Sequence, residues 1–369
     1  LKRLLLLLPA LAMAIFAITG TGGSRPVNAQ DGTIVLLAGD GEPGYSVNQF
    51  LPREVTIAEG TTITWEFPWY EPHLVVFVEG APPQDPQVTE NAVWPNDQGY
   101  VYSGEVFGDP NNPPTFSVTF PEAGTYEYFC PIHPLMTATV NVVAEGGDVD
   151  TQADVDARAA AEYDANITSI KAVSAAVAAR GGAVTPRPDG TKLLEVIVGS
   201  IDDAGNDGMQ FYPDAANINV GDTIRWITEV PTPHTVTFNI QDAPPFDDPF
   251  ALPRTPEETF GGQGFRNSGI MWTSDPSTVE YSLTFTTEGT YQYMCILHAN
   301  QGMVGVVNVS AAPETPTATA TATATATPKS PSTGTGTATG GDNLLLLAAV
   351  GAALVIAGGA TGCATLRRR

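Results

Sequence analysis

From Thr33 to about Val143, apolar and polar residues alternate over short runs. Ile63, Trp65 and Phe67 interleave with Thr62, Thr64 and Glu66, the period of a half-buried strand, and Phe116, Val118 and Phe120 repeat it. Tyr126, Tyr128 and Cys130 fall on one face of a further strand, which directs the thiol inward and Phe129 outward. Gly and Pro clusters separate these runs, as in an all-β sandwich. From about Asp154 to Arg180 the pattern changes. Proline and glycine vanish, and Val155, Ala159, Tyr163, Ile167, Ile170, Val173 and Val177 recur at three or four residues. That spacing predicts an amphipathic helix stopped by Gly181-Gly182, packed on a β-unit or spacing two of them apart. From Lys192 to about Ser310 the period of two returns.

The second β-pattern repeats the first. Phe50-Leu51-Pro52 with Gly60 and Trp65 is echoed by Phe211-Tyr212-Pro213 with Gly221 and Trp226. Ala81-Pro82-Pro83 returns as Ala243-Pro244-Pro245, and Ser103-Gly104 as Ser268-Gly269. Such a recurrence marks the duplication of a whole domain.

The repeat includes the residues with chemistry to offer. Gly124-Thr125-Tyr126-Glu127-Tyr128-Phe129 leads into Cys130, His133 and Met136, and Gly289-Thr290-Tyr291-Gln292-Tyr293-Met294 leads into Cys295, His298 and Met303. One further histidine stands upstream of each, His73 and His234, and with these the chain's 4 histidines are all used. A thiolate and two imidazoles suit both Cu(I) and Cu(II), and a weak axial thioether tunes the balance between them. The expectation is two type 1 copper sites, one per repeat. Zinc also takes Cys and His, but the thioether favours copper. A disulfide between Cys130 and Cys295 would leave the histidine three residues after each cysteine unexplained.

Lys2 and Arg3 before the apolar run Leu4 to Ile18, with Val27-Asn28-Ala29 behind it, predict a secretory signal. The Thr/Ala/Pro-rich stretch before Gly341 cannot bury a core and reads as a disordered stalk. Leu344 to Leu366 is apolar and is followed by Arg367, Arg368 and Arg369, which predicts a transmembrane helix with a cytoplasmic tail. Ser330-Pro331-Ser332-Thr333-Gly334 loosely resembles a sortase sorting signal, a second route to the same surface. The expected organisation is therefore a signal peptide over 1–29, β-domains over 30–145 and 191–312, a helical linker over 146–190, a stalk over 313–342 and a membrane anchor over 343–369. That places the folded part on the extracytoplasmic side of a membrane, held by a single C-terminal span. A net charge of −24 argues against nucleic acid as a partner.

The Cys-x2-His-x2-Met and Cys-x2-His-x4-Met motifs, each with its upstream histidine, resemble the cupredoxins of the plastocyanin and amicyanin kind. The resemblance implies two tandem Greek-key β-sandwiches, each with one type 1 copper. Carried over residue by residue, the ligands would be His73, Cys130, His133 and Met136, then His234, Cys295, His298 and Met303. The family usually places Asn directly after the upstream histidine, where Leu74 and Thr235 stand here. Plant members carry Tyr before the ligand cysteine, where this chain has Phe129 and Met294.

The function so implied is electron transfer between a donor and an acceptor redox protein, by a carrier that is not an enzyme. A copper oxidoreductase would need histidines beyond those already assigned. Copper storage and an adhesion role compete with electron transfer, the adhesion role being favoured only if copper does not bind. In the family the loop histidine is the port to a partner, so His133 and His298 are expected at apolar surface patches made by Ile132, Pro134, Leu135 and Leu297. The two loops differ, with Pro134 and Leu135 in one and Ala299 to Gly302 in the other. The first is stiff and poor in donors, so the two potentials are expected to differ.

Overall fold

A computed structural model of the protein describes residues 32–81 and 83–312. The signal expected at 1–29, the stalk at 313–342 and the anchor at 343–369 lie outside the described residues.

Two β-sandwiches follow one another along the chain. In the first, Thr33–Glu42, Tyr45–Leu51, Thr61–Glu66, Thr115–Phe120 and Ala92–Val93 form one layer, and Glu54–Ala58, His133–Val143, Gly124–Cys130, Val76–Val78 and Tyr100–Tyr102 the other. The second repeats this with Lys192–Ile201, Asp207–Tyr212, Thr223–Thr228, Glu280–Phe285 and Thr259–Phe260 against Ala215–Asn219, Val304–Ser310, Gly289–Met294, Thr237–Phe238 and Arg266–Asn267. The alternation seen in the sequence is explained by burial. Ile63, Trp65 and Phe67 are completely enclosed, while Thr62, Thr64 and Glu66 are not.

The duplication extends to the packing of the cores. Trp65 meets the ring of Tyr128 edge-on at 5.2 Å, and Trp226 meets Tyr293 the same way at 5.4 Å. Phe77 and Phe120 complete the first aromatic cluster, and Phe238 and Phe285 the second. Each cluster lies beneath the strand that delivers Cys130 or the run that ends at Cys295. Such rings bury large apolar areas and hold fixed mutual geometry, so the strand above them has little room to shift.

The sandwiches are joined edge to edge. Ser46 and Tyr45 pair antiparallel with Asp207 and Gly208, which merges one layer of each into a single 11-stranded sheet. The helix Gln152–Ala178 lies across this junction. Thr151 caps it with a reciprocal Asp154 capping box. Ala159, Ile167 and Ile170 pack on Val47 and Leu51 of the first unit, and Val177 packs on Ile197 and Tyr212 of the second. The predicted periodicity is thus satisfied by both units at once, and the helix is a brace across them.

The expected fold class is corrected in one respect: the transmembrane helix it included is not found among the described residues. Among the described residues no helix is long and apolar enough to cross a membrane. The α-helix they contain is the brace, whose apolar side is already covered by protein.

Candidate metal centres

Cys130 ends the strand Gly124–Cys130, and the chain turns back at once through His133 into the strand His133–Val143. His73 arrives on a two-residue strand paired with Val106–Phe107 in a small sheet separate from both layers. In the second unit His234 forms an isolated bridge with Met271, and Cys295 follows the strand Gly289–Met294. The strands therefore bring together residues far apart in sequence, and they do so twice.

In the first group the Nδ1 atoms of His73 and His133 are 3.1 Å apart, and Cys130 Sγ is 3.6 Å from His133 Nδ1. In the second the Nδ1 atoms of His234 and His298 are 3.1 Å apart, with Cys295 Sγ at 4.0 Å and 3.4 Å from them. Metal–nitrogen and metal–sulfur bonds of about 2.0–2.3 Å put trigonal donors about 3.4–3.8 Å apart. The observed separations, 3.1–4.0 Å, bracket that range, so each triangle can close on one ion of that size. Both cysteines are free thiols and buried, so neither is spent on a disulfide.

Met136 and Met303 are buried at 1% and 0% exposure, in the same core clusters as Cys130 and Cys295. Met303 also fixes its loop, donating from its N–H to His298 O at 3.0 Å and accepting from Cys295 N–H at 3.0 Å.

Several supporting groups were not evident from sequence. Gly39 and Gly199 sit at bulges where their strands' pairing shifts register, at φ +75° each. A Cβ on Gly39 would lie 2.1 Å from His73 Nε2, and one on Gly199 2.3 Å from His234 Nε2. Each upstream imidazole therefore rests its Nε2 edge against bare backbone, with that Nε2 buried and unpartnered among the described residues. The thiol sulfurs receive backbone donors: Leu74 N–H to Cys130 Sγ at 3.4 Å and Thr235 N–H to Cys295 Sγ at 3.3 Å. In the second site the Thr235 hydroxyl also accepts from Ile296 N–H at 2.9 Å, tying the histidine strand to the cysteine loop. Leu74 has no side-chain polar atom with which to do this.

Glu71 was also missed. It is a 5% exposed carboxylate, 3.8 Å from His133 Nε2 through Oε1 and 3.9 Å from His298 Nε2 through Oε2. Burial alone would raise its pKa, but His133 and His298 outweigh burial and hold it down at about 2. Burial works against the charged form of His133 as well, yet Cys130 and Glu71 lift it to about 10. His298 rises to about 9 through Cys295 and Glu71. His73 moves the other way, well below the ordinary range, because it is buried and faces the charged His133. In the metal-free protein the Cys295 thiol is driven well down despite its burial, by His298 and His234.

The expected solvent ports are only half present. The His133 side chain is 15% exposed, beside Ile132 and Leu135 at 45% and 55%. His298 is buried, because its loop is pressed into the junction: Gln301 O accepts from Gly44 N–H of the first unit at 2.7 Å.

The sequence model of the copper-binding plastocyanin/azurin family matches residues 44–143 and 198–310. An amicyanin of Paracoccus versutus is 31% identical over 145 residues, covering 36% of this chain and 93% of the relative. A chloroplastic plastocyanin of Silene latifolia subsp. alba is 31% identical over 116 residues, 31% of this chain and 59% of the relative's own length. A plastocyanin of Nicotiana tabacum is 29% identical over 117 residues, 32% of this chain and 100% of the relative. Among solved structures, a reduced amicyanin variant is similar at 25% identity and a TM-score of 0.23, covering 31% of this chain and 86% of that one. The two matched stretches take in more than half of the 369 residues, and each ends on one of the converging cysteine and histidine groups; the chain belongs to the copper-binding plastocyanin/azurin family.

Proposed function

We propose that the protein is an electron carrier with two type 1 copper sites, His73, Cys130, His133 and Met136 in one and His234, Cys295, His298 and Met303 in the other. The observation that carries this reading is the pair of matched donor triangles, each within 4.8 Å and each with a buried methionine in the same core. Copper bound there would supply one-electron Cu(I)/Cu(II) chemistry. The chain's contribution is rigidity. Cys130 and Cys295 are fixed by strand pairing, His73 and His234 by the glycine backbone behind them, and the sulfurs by the Leu74 and Thr235 amides. A donor set that cannot move favours both oxidation states with little rearrangement.

A donor or acceptor protein would approach the first site across Ile132 and Leu135, the exposed apolar side chains nearest His133. An extracytoplasmic setting accords with the apolar run near the start of the sequence. Copper storage is the competing reading, and it requires no reversible potential. Copper analysis and spectroelectrochemistry of the chain test the choice. Two coppers per chain, an intense visible thiolate band and its reversible bleaching support the carrier. Copper that binds without reversible one-electron cycling supports storage.

A further inference from the structure

The donor triangles use the Nδ1 edges of the imidazoles, so the Nε2 edges of His133 and His298 are the sides that leave the two sites. Both leave toward the same residue. Glu71 offers Oε1 to His133 at 3.8 Å and Oε2 to His298 at 3.9 Å, one carboxylate oxygen to each unit. Gln301 of the second unit donates to Oε2 at 3.3 Å and holds the carboxylate in place. Glu71, Gln301 and His298 are all at most 5% exposed, so this contact lies inside the protein. Its counterpart in the second repeat is Thr232, two residues before His234, and that hydroxyl turns away to donate to Asp207 at 2.6 Å. A single side chain therefore serves both histidines.

Resting on the two-copper reading, we propose that Glu71 is the internal link between the two centres, so that the protein relays electrons within itself and does not carry two independent charges. One electron crosses at a time. With copper in both sites, one would give the electron, Cu(I) to Cu(II), and the other would take it, Cu(II) to Cu(I), with no atom or proton changing hands. Glu71 touches the ligands and not the metal, so it is a positioning residue. It fills the space between two rings that otherwise belong to different sandwiches. The first site, with His133 partly open, is the entrance, and the second, with His298 enclosed, exchanges through the first.

Two measurements on the full chain test this, with Glu71→Ala as the cut, Glu71→Gln as a half-cut of equal size that keeps one accepting oxygen, and Gln301→Leu as a loosened clamp. In the metal-free protein, histidine ¹H–¹⁵N spectra should show Nε2 of both His133 and His298 shifted by Glu71→Ala, with His234 unmoved. A shift confined to His133 overturns the link. In the copper-loaded protein, flash reduction should be followed by redistribution between the sites at a rate independent of protein concentration. Glu71→Ala should slow that phase by an order of magnitude or more, and Gln301→Leu and Glu71→Gln by less, since the amide keeps only one of the two accepting oxygens. Redistribution that scales with protein concentration, or is equally fast in Glu71→Ala, overturns the relay while leaving the carrier reading intact. Failure to develop two thiolate bands overturns the carrier reading, and the metal-free spectra still decide whether Glu71 joins the two histidines.

Discussion

Ser46 lies opposite Asp207 in the antiparallel pairing that joins the two sandwiches, and the two residues hold the same position in the two repeats, four residues before Phe50 and Phe211. A position that pairs with its own counterpart is the mark of a two-fold relation between like units. The rest of the junction obeys it. The second site's loop meets the first unit's hairpin at Gly44, and the first site's Leu135 lies against the second unit's hairpin at Gly205. Equivalent loops are thus brought to one axis, and the near-symmetric contact is broken at the sites themselves where Glu71 stands in place of the threonine of the other copy.

Gly39→Ala and Gly199→Ala should each disable one site. The new methyl would sit 2.1 Å from His73 Nε2 or 2.3 Å from His234 Nε2, which no rotamer of a clamped ligand can absorb. Alanine at φ +75° adds strain, for a total destabilisation of more than about 1 kcal/mol. Copper stoichiometry should fall from two to one in each variant, and retention of both coppers would refute the steric role.

Thr235→Val should alter the second site alone. It deletes the acceptor for Ile296 N–H, a part-buried bond of 2.9 Å, at a cost of about 1–3 kcal/mol. The two potentials should already differ in the unmodified chain, since Leu74 provides no such tie. Each 59 mV of difference is about a tenfold bias for a one-electron step. Potentiometric titration should show the Cys295 site moving in Thr235→Val while the Cys130 site stays fixed; equal shifts in both would contradict the assignment.

The metal-free protein should be most stable on a plateau bounded by its junction charges. His133 and His298 have folded pKa values of about 10 and about 9 against an ordinary 6.5, so their contribution is complete below 6.5 and fades as pH rises toward those values. Glu71 is lowered from 4.5 to about 2, so its share is complete above 4.5 and fades as pH falls toward 2. The part that Glu71 shares with the histidines is one interaction and is counted once; the rest of their rise comes from Cys130 and Cys295. Urea midpoints of the metal-free chain should therefore decline above about pH 6.5 and below about pH 4.5, with the depressed His73 and Cys295, whose shares are lost as pH falls, deepening the acid side. Glu71→Gln should remove its own share of the acid flank and only weaken the alkaline one, where Cys130 and Cys295 still raise the histidines, and an unchanged profile in that variant would rule out this contact as a cause.

The converging cysteine and histidine groups were legible because each stands in a recurring context: a strand of period two, then Cys130 or Cys295, with a histidine at the same spacing. The helix was legible for a similar reason, since Val155, Ala159, Ile167, Ile170 and Val177 are all buried. Its role as a brace was not, because periodicity shows that a face is covered but not by what. Gly39 and Gly199 were hidden among 37 glycines, and only the three-dimensional approach of an imidazole distinguishes them. Glu71 was hidden because duplication was the signal being followed, and its twin is Thr232. The burial of His298 depends on Tyr45–Leu51 pairing with Asp207–Tyr212, a contact between strand edges that neither strand's own pattern encodes.

The two-site assignment stands most directly on the thiolates. In a type 1 site the cysteine sulfur is the chromophoric ligand, so Cys130→Ser and Cys295→Ser each remove one chromophore. The visible absorption and copper content of the full chain and both variants should be compared at equal protein concentration. Each single variant should keep one copper of the blue type and about half the absorption, and the double variant should keep none. A single change that abolishes both bands, or a double variant that remains blue, would contradict two separate copper sites.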